Sequence, residues 1–311
     1  MITTAERATA GSGTLTFEEA VARIRAARDF RELGERTSYR KWAKLVHPDT
    51  VSATRRATAT DAFAKLSQLY KSQRTAWRGG DLAELFEDGA NLVKVPRDPA
   101  DNDLMETEAA ALRQLWRDGD PKFRPYAARL VDSYLMEDGQ RRRRQVNVLE
   151  RQVGMISLAE LGPAERDPRD VSWMWRRLLT ALGWAHRAGV VHGAVLPEHV
   201  LIHPEQHGLV LVDWCYAGHR PAAIVKARRA DYPPEVLTDR LAGPATDIYM
   251  ATGLMTRLIG SRMPAPMRRF ADGCRYSAPR MRPQDAWALL GEFDELINRL
   301  HGPRKFRPFV V

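Results

Sequence analysis

A histidine, a proline and an aspartate stand together at residues 47 to 49, directly after a short basic segment. Proline fixes its own φ and pushes the preceding residue out of the helical region, so Pro48 predicts a rigid turn with the polar side chains of His47 and Asp49 at its tip. The basic residues before the turn are Arg40, Lys41 and Lys44. A polar tip beside a positive helix face could dock onto an acidic protein surface. Alternatively, the turn merely ends a helix in a three-helix bundle.

Three apolar stripes at helical spacing position this turn. They predict a helix over residues 17–33 that stops at Gly34, a second helix capped by Thr37 or Ser38 that ends at His47, and a third helix that ends near residue 70. Because no such stripe is stable alone, we expect the three faces to bury one another. The apolar residues are Phe17, Ala20, Val21, Ile24 and Ala27 in the first helix, Tyr39, Trp42, Ala43 and Val46 in the second, and Ala62, Phe63, Leu66, Leu69 and Tyr70 in the third.

Over residues 17–73, the segments YRKWAKLVHPDTV and DAFAKLSQLY resemble the J-domain family of co-chaperones. The resemblance implies that His47, Pro48 and Asp49 deliver the contact that stimulates ATP hydrolysis by a DnaK-class heat-shock chaperone. The stretch from Gly34 to His47 is shorter than in most of the family, so the second helix should lack a turn at its start. Neither a Gly/Phe-rich linker nor a cysteine-rich module follows, and client handling of the general DnaJ type is not expected.

A second domain is predicted to start near residue 78, where the pair Gly79-Gly80 follows a charged stretch. Strand patterns dominate up to about residue 150, helix patterns dominate after residue 170, and one apolar hairpin, VLIHPEQHGLVLVDW, lies between the helices. The order predicts an α+β arrangement with two lobes. The strand segments are LAELF, NLVKV, AARLVDSYLM and QVNVLE, and the helical ones are ETEAAALRQLW, WMWRRLLTALGWAHRAG, DIYMATGLMTRLIG and PQDAWALLGEFDELINRL.

Residues 78–300 resemble the protein-kinase superfamily through several marks in the family's order. Lys94 in NLVKV matches the lysine that grips nucleotide phosphates, and Glu108 matches its ion-pair partner. Asp213 in LVLVDWC matches the aspartate that binds Mg²⁺. The resemblance therefore implies ATP and Mg²⁺ as cofactors. Three further matches are structural residues of the helical lobe, of which the first and last should form a buried ion pair: Glu235, Asp247 and Arg282.

The catalytic loop departs from that family. It runs from His192 to His199, with Ala194 in place of the proton-accepting aspartate and His199 in place of a metal-binding asparagine. A methyl group cannot accept a proton, and general-base assistance is worth roughly 10²–10⁴-fold. Leu196 stands where the family has a lysine, and Gly79-Gly80 is not a complete phosphate-binding loop. We therefore expect no ordinary kinase turnover, with Lys94 and Asp213 either binding nucleotide or serving as a structural ion pair.

Bulk composition limits the function classes. The chain has 311 residues and a net charge of +9, a length that favours two domains. With two cysteines, Cys215 and Cys274, a cytoplasmic location is expected. We expect no contact with a membrane, because no apolar run approaches the roughly 20 residues of a span and the first sixteen residues lack a signal-peptide core. The positive charge would also suit nucleic acid, but no RNA-binding or zinc-finger pattern supports that alternative.

Together these patterns predict a helical J-domain followed by a two-lobed kinase-like fold. The expected division is a tail over 1–16, the J-domain over 17–73, the kinase-like domain over 74–300 with lobes at about 78–152 and 153–300, and a tail over 301–311. The expected partners are a DnaK-class chaperone and an unidentified client protein. An atypical transferase that moves phosphate or AMP, with Asp213 or His199 carrying metal, is one alternative; an arginine-rich nucleic-acid-binding protein is the other.

Overall fold

The computed structural model of the protein describes residues 15–28, 30–34, 39–72 and 78–309. The chain divides into two compact units, with the boundary between Trp77 and Arg78, and the segment Glu137–Arg142 groups with the first unit. Helices and antiparallel sheets are both present, which is the mixed class expected. Within the described ranges, no helix is both long and apolar enough to cross a bilayer.

The first unit packs α1, α2 and α3 around an apolar core. Helices α2 and α3 run antiparallel, because the ring centroid of Tyr39 lies 4.3 Å from that of Tyr70 while His47 lies 5.1 Å from Phe63. The three predicted stripes are therefore confirmed as faces that bury one another. The bounds are Phe17–Ala26 for α1, Tyr39–Val46 for α2 and Arg56–Ser72 for α3.

The first helix is shorter than the predicted 17–33. Ala27 adopts an extended conformation with ψ 134°, and a separate 3₁₀ turn follows at Phe30–Leu33. This break lets the Phe30 ring pack edge-on at 5.2 Å from Tyr70, and the indole N–H of Trp42 donates to the Leu33 carbonyl at 2.8 Å. Burial of these aromatic rings therefore outweighs helix continuation. The expected caps at Thr37 and Ser38 lie outside the described residues.

The second unit begins with a five-stranded sheet in the order β1-β2-β3-β5-β4, with one helix, α4, inserted after β3. Strand β3 pairs antiparallel with both β2 and β5, and Lys94 of β3 lies opposite Asn147 of β5. The central position of β3 buries its end, where Val93, Lys94 and Val95 lie. The bounds are Arg78–Gly79, Ala83–Asp88, Asn91–Pro96, Leu130–Glu137 and Arg143–Glu150 for β1 to β5, and Asn102–Asp118 for α4.

Helices dominate the rest of this unit, around a small antiparallel sheet of β6, β7 and β8. Helix α5 is buried along much of its length and packs against α7 and α9, while β7 and β8 form the predicted hairpin. The predicted strands and long helices of this unit are thus confirmed. The bounds are Ile156–Ser157, Val200–His203 and Gly208–Leu211 for β6 to β8, and Pro168–Arg187, Pro234–Thr238, Pro244–Ile259, Ala265–Gly273 and Ala286–His301 for α5 to α9.

Candidate functional sites

The turn after α2 has a fixed conformation. His47 is extended with ψ 128°, and its Nδ1 accepts a hydrogen bond from the Asp49 N–H at 3.3 Å. The Thr50 hydroxyl donates to the His47 carbonyl at 2.9 Å, and the Thr50 N–H donates to the same carbonyl at 3.0 Å. These bonds order the turn before any partner binds, while Asp49 keeps 87 % of its side chain exposed.

The face of α2 that points away from the core is basic. Tyr39, Trp42 and Val46 are buried, whereas Arg40, Lys41 and Lys44 are exposed. Positions three and four apart lie on one side of a helix, so this exposed charge leads along α2 to the turn. The predicted basic face is confirmed.

In the second unit, one buried lysine joins three distant segments. The Lys94 ammonium lies 3.0 Å from Glu108 Oε1 of α4 and 3.2 Å from Cys215 Sγ, and it also donates to Asp213, which follows β8. Asn147 Nδ2 donates to the second oxygen of Glu108 at 2.9 Å. Lys94 and Glu108 are 4 % and 1 % exposed. The structure thus brings together the three residues matched to the kinase family.

Electrostatics keeps this cluster ionised despite its burial. Burial would lower the pKa of Lys94, but the negative charges of Asp213 and Glu108 outweigh it and raise the pKa well above its usual range. Burial would likewise raise the pKa of Asp213, but the charge of Lys94 outweighs burial and lowers the pKa to about 2. An ammonium and a carboxylate are therefore the forms present near neutral pH. Asp213 also has φ 63° and ψ 51°, a left-handed conformation that aspartate tolerates better than most residues.

The loop from His192 to His199 is buried except at Glu198, and hydrogen bonds to its backbone hold it in place. Asp247 of α7 accepts the N–H groups of His192 and Gly193 at 2.8 Å each, and its carboxylate lies 2.9 Å from His186 Nε2. His192 Nε2 donates to the Val212 carbonyl at 3.0 Å, because a carbonyl can only accept. Burial lowers the pKa of His192 to about 4, so this imidazole is neutral at physiological pH. Ala194 is fully buried and offers no proton acceptor.

His199, at the end of this loop, faces two carboxylates. Its Nε2 lies 3.4 Å from Asp213 Oδ2 and 4.0 Å from Asp81 Oδ2. Asp81 precedes β2 and also accepts the hydroxyl hydrogen of Tyr216. Burial and the charge of Asp81 raise the pKa of that phenol, so it remains a donor. The sequence prediction included His199 and Asp213 but missed Asp81 and Tyr216.

Among the residues that the structure describes, two groups of side chains have metal-ligand chemistry. In each, one ligand atom per residue lies within 4.8 Å of the others. Lys94 already contacts all three members of one group, Glu108, Asp213 and Cys215, so its ammonium supplies the positive charge there. The other group is Asp81, His199 and Asp213. Mg²⁺ prefers six oxygen ligands, and the imidazole at residue 199 therefore fits the Mg²⁺ implied by the kinase resemblance poorly.

Two of the residues matched to structural positions of the helical lobe, Glu235 and Arg282, contact each other. Arg282 donates to both carboxylate oxygens of Glu235, at 2.7 and 3.0 Å, and to the Ser277 carbonyl at 2.8 Å. The Arg282 side chain is fully buried, and Thr246 donates to Glu235 at 3.1 Å. The two residues thus form the buried ion pair that the resemblance implied.

Cys215 is packed between buried neighbours. It is 1 % exposed, as is Trp214, and burial raises the pKa of its thiol well above the usual range. A neutral, inaccessible thiol is a poor nucleophile. The arrangement supports an inert packed sequence at Trp214 and Cys215 rather than a redox switch.

The run Arg141–Arg144 covers the end of the turn after β4 and the first two residues of β5. Arg142 pairs with Asp138 at 3.1 Å, and the φ of Arg141 is 59°. Its first three residues are exposed.

A basic cleft of about 940 Å³ lies between α5, α9 and the residues that follow α9. Burial and the neighbouring charges of Arg176 and Arg177 lower the pKa of Arg304. Phe309 packs beside this cleft, since it is 7 % exposed and lies 6.1 Å from the Trp173 ring, whereas Phe306 is 68 % exposed. The cations that line the cleft are Arg169, Arg176, Arg177, Arg304, Lys305 and Arg307.

Comparison of the sequence with protein-family models and with curated proteins gives no match.

Proposed function

We propose that this protein is a co-chaperone of the J-domain type, whose first unit stimulates ATP hydrolysis by a DnaK-class chaperone. The second unit is proposed to be a kinase-like domain that lacks ordinary phosphoryl transfer and binds a client protein as a scaffold. The observation that carries the proposal is the preorganised, exposed turn of His47, Pro48 and Asp49 at the end of the basic helix α2.

Preorganisation supports a docking role for the turn. The hydrogen bonds of His47 and Thr50 already fix the backbone, so little conformational entropy is lost when a partner binds. Asp49 can accept hydrogen bonds from a basic residue of the partner because most of its side chain is exposed.

The positive charge of α2 supports a partner with an acidic surface. The exposed Arg40, Lys41 and Lys44 present a positive surface beside the turn. Such a surface accelerates encounter with an acidic patch, and the acceleration weakens as salt is added. We therefore expect these residues to contribute mainly to the association rate and His47 to the stimulation that follows.

Two residues of the second unit, Ala194 and His192, support the proposed lack of ordinary kinase chemistry. Ala194 cannot accept a proton, and the neutral His192 already donates to a backbone carbonyl. Lys94 and Glu108 form the ion pair that binding of nucleotide phosphates requires. Two alternative forms of the proposal therefore involve ATP: client binding gated by ATP, or an atypical transferase. Thermal-shift titration with ATP and Mg²⁺ tests whether nucleotide binds. A ligand that binds the folded state must raise the midpoint of thermal unfolding as the ligand concentration grows.

Single-turnover ATP hydrolysis by a DnaK-class chaperone tests the main proposal. The full-length chain should accelerate hydrolysis, and His47→Gln should remove the acceleration. His203→Gln is the matched control, because it removes a histidine at the end of β7 in the other unit. Equal stimulation by the wild type and His47→Gln would contradict the proposal. Incubation with α- and γ-labelled ATP tests the alternative of an atypical transferase. That alternative predicts that label is transferred to protein and that Asp213→Ala abolishes the transfer.

A further inference from the structure

We propose that Asp81, His199 and Asp213 form a four-coordinate transition-metal site of the Zn²⁺ type that binds its ion without nucleotide. A water molecule would complete the coordination. The three side chains come from the segment before β2, the end of the 192–199 loop and the segment after β8. This inference is independent of the co-chaperone proposal and concerns a different ion from the Mg²⁺ that the kinase resemblance implied.

The orientation of His199 is the first argument. Its Nδ1 lies 2.8 Å from the Ala194 carbonyl oxygen, which can only accept, so Nδ1 carries the hydrogen. Nε2 is therefore the ring nitrogen that faces Asp213 and Asp81. His199 is 2 % exposed, so its ring is held in place by the surrounding protein. A metal ion between the three side chains would have one imidazole nitrogen and two carboxylate oxygens within reach.

The distances fit the ligation of one metal ion. A protonated imidazole bound to a carboxylate would bring nitrogen and oxygen to about 2.7–2.9 Å. Nε2 and Asp213 Oδ2 are instead 3.4 Å apart. Two ligands of one tetrahedral Zn²⁺ lie roughly 3.3 Å apart, because the Zn–N and Zn–O bonds are about 2.0–2.1 Å. Asp81 Oδ2, at 4.0 Å from Nε2, reaches the same geometry by a small side-chain movement.

Neighbouring groups orient each ligand. Asp213 uses Oδ1 for Lys94, which leaves Oδ2 directed at His199. Asp81 accepts the Tyr216 hydroxyl hydrogen at Oδ2 and the Leu82 N–H at Oδ1, at 2.9 Å for the latter. Hydrogen bonds of this kind fix ligand orientation in metal sites.

Access and donor type support the choice of ion. The side chains of Asp213 and Asp81 are 18 % and 21 % exposed, so an ion can enter from their side. One imidazole nitrogen with two carboxylate oxygens is a set that Zn²⁺ accepts, whereas Mg²⁺ requires a nearly octahedral set of oxygens. The site should therefore prefer Zn²⁺ over Mg²⁺.

Titration of the chelator-treated full-length chain with Co²⁺ tests the site, since Co²⁺ substitutes for Zn²⁺ and its visible spectrum reports coordination number. We expect one equivalent with the intense bands of four-coordinate Co²⁺, displaced by Zn²⁺ and not by an equal concentration of Mg²⁺. His199→Asn and Asp81→Asn should each weaken binding at least about 10–100-fold, the loss known for residues that merely support ligands. His203→Asn is the matched control and should bind as the wild type does.

Three results would overturn the proposal: weak six-coordinate bands, absence of stoichiometric binding, or equal affinity in the wild type and both ligand variants. Circular dichroism of each variant keeps folding separate from binding. Asp81→Asn replaces one carboxylate oxygen by an NH₂ group on a partly exposed side chain. This substitution therefore remains a test if His199→Asn fails to fold. Stimulation of the chaperone is measured on the other unit with His47→Gln, so failure of one proposal leaves the other unaffected.

Discussion

The buried neutral state of His192 predicts a specific loss of stability in mild acid. Its two ring nitrogens are both satisfied in the neutral form, because Nε2 donates to Val212 O at 3.0 Å and Nδ1 accepts from the Ala194 N–H at 3.3 Å. A second proton would go on Nδ1, break the latter bond and place a charge in a fully buried position. The perturbation is His192→Gln, which removes the titrating group.

The magnitude follows from the two protonation states. Burial lowers the folded-state pKa of His192 from 6.5 to about 4. The unfolded chain then binds more protons between these values, so folding stability is complete above the unfolded pKa and falls as the pH drops towards the folded one. Each pKa unit is worth about 1.4 kcal/mol, which gives about 3 kcal/mol in total and about 2 kcal/mol between pH 7.5 and pH 5.

Urea unfolding of the wild type, His192→Gln and the control His203→Gln at these two pH values measures the effect. From pH 7.5 to pH 5, the free energy of unfolding of the second unit should fall by about 2 kcal/mol more in the wild type than in His192→Gln. The control His203→Gln should lose as much as the wild type. Aspartates and glutamates stay largely ionised across this window, which makes histidine the dominant titrating type. The same pH dependence in the wild type and His192→Gln would refute a buried neutral His192.

Three further predictions concern the second unit. Arg282→Met should cost about 3–5 kcal/mol in urea unfolding because Glu235 stays buried without its partner, and adding Glu235→Gln should recover part of the loss; additive costs would contradict the pairing. Gly193→Ala should lower the thermal midpoint, since φ is 75° and a Cβ would collide with the Tyr216 carbonyl; an unchanged midpoint would exclude that contact. A thiol reagent at pH 8 should label neither Cys215 nor Cys274 until urea is added, because both are buried and burial raises the pKa of both thiols; rapid native labelling would refute this.

Periodicity predicted the helices and strands well wherever a long segment has one apolar face. It failed at the end of the first helix, because Ala27 carries no glycine or proline signal and the break depends on how Phe30 packs against Tyr70. Local sequence holds no information of that kind. The terminating role assigned to Gly34 was wrong for α1, although Gly34 has φ 118° and follows the 3₁₀ turn.

The candidate site was predictable only in part. Lys94 and Asp213 are separated by 119 positions, and the family resemblance rather than spacing connected them. Asp81 and Tyr216 are 135 positions apart, and neither lies in a motif that resemblance could identify. An aspartate directly after a glycine pair was the one local signal for Asp81. Contacts made by folding two such segments together require the three-dimensional structure.

The carboxylate of Asp247 fixes the backbone conformation of the 192–199 loop through hydrogen bonds to its main chain rather than to the side chains of Ala194 or His199. It grips main-chain N–H groups, which every residue except proline possesses, so side chains farther along the loop can be exchanged while the main chain keeps its course. The side chains at Ala194 and His199 can therefore differ in chemistry without a change in the course of the main chain. A preserved backbone outline is accordingly poor evidence of preserved reactivity.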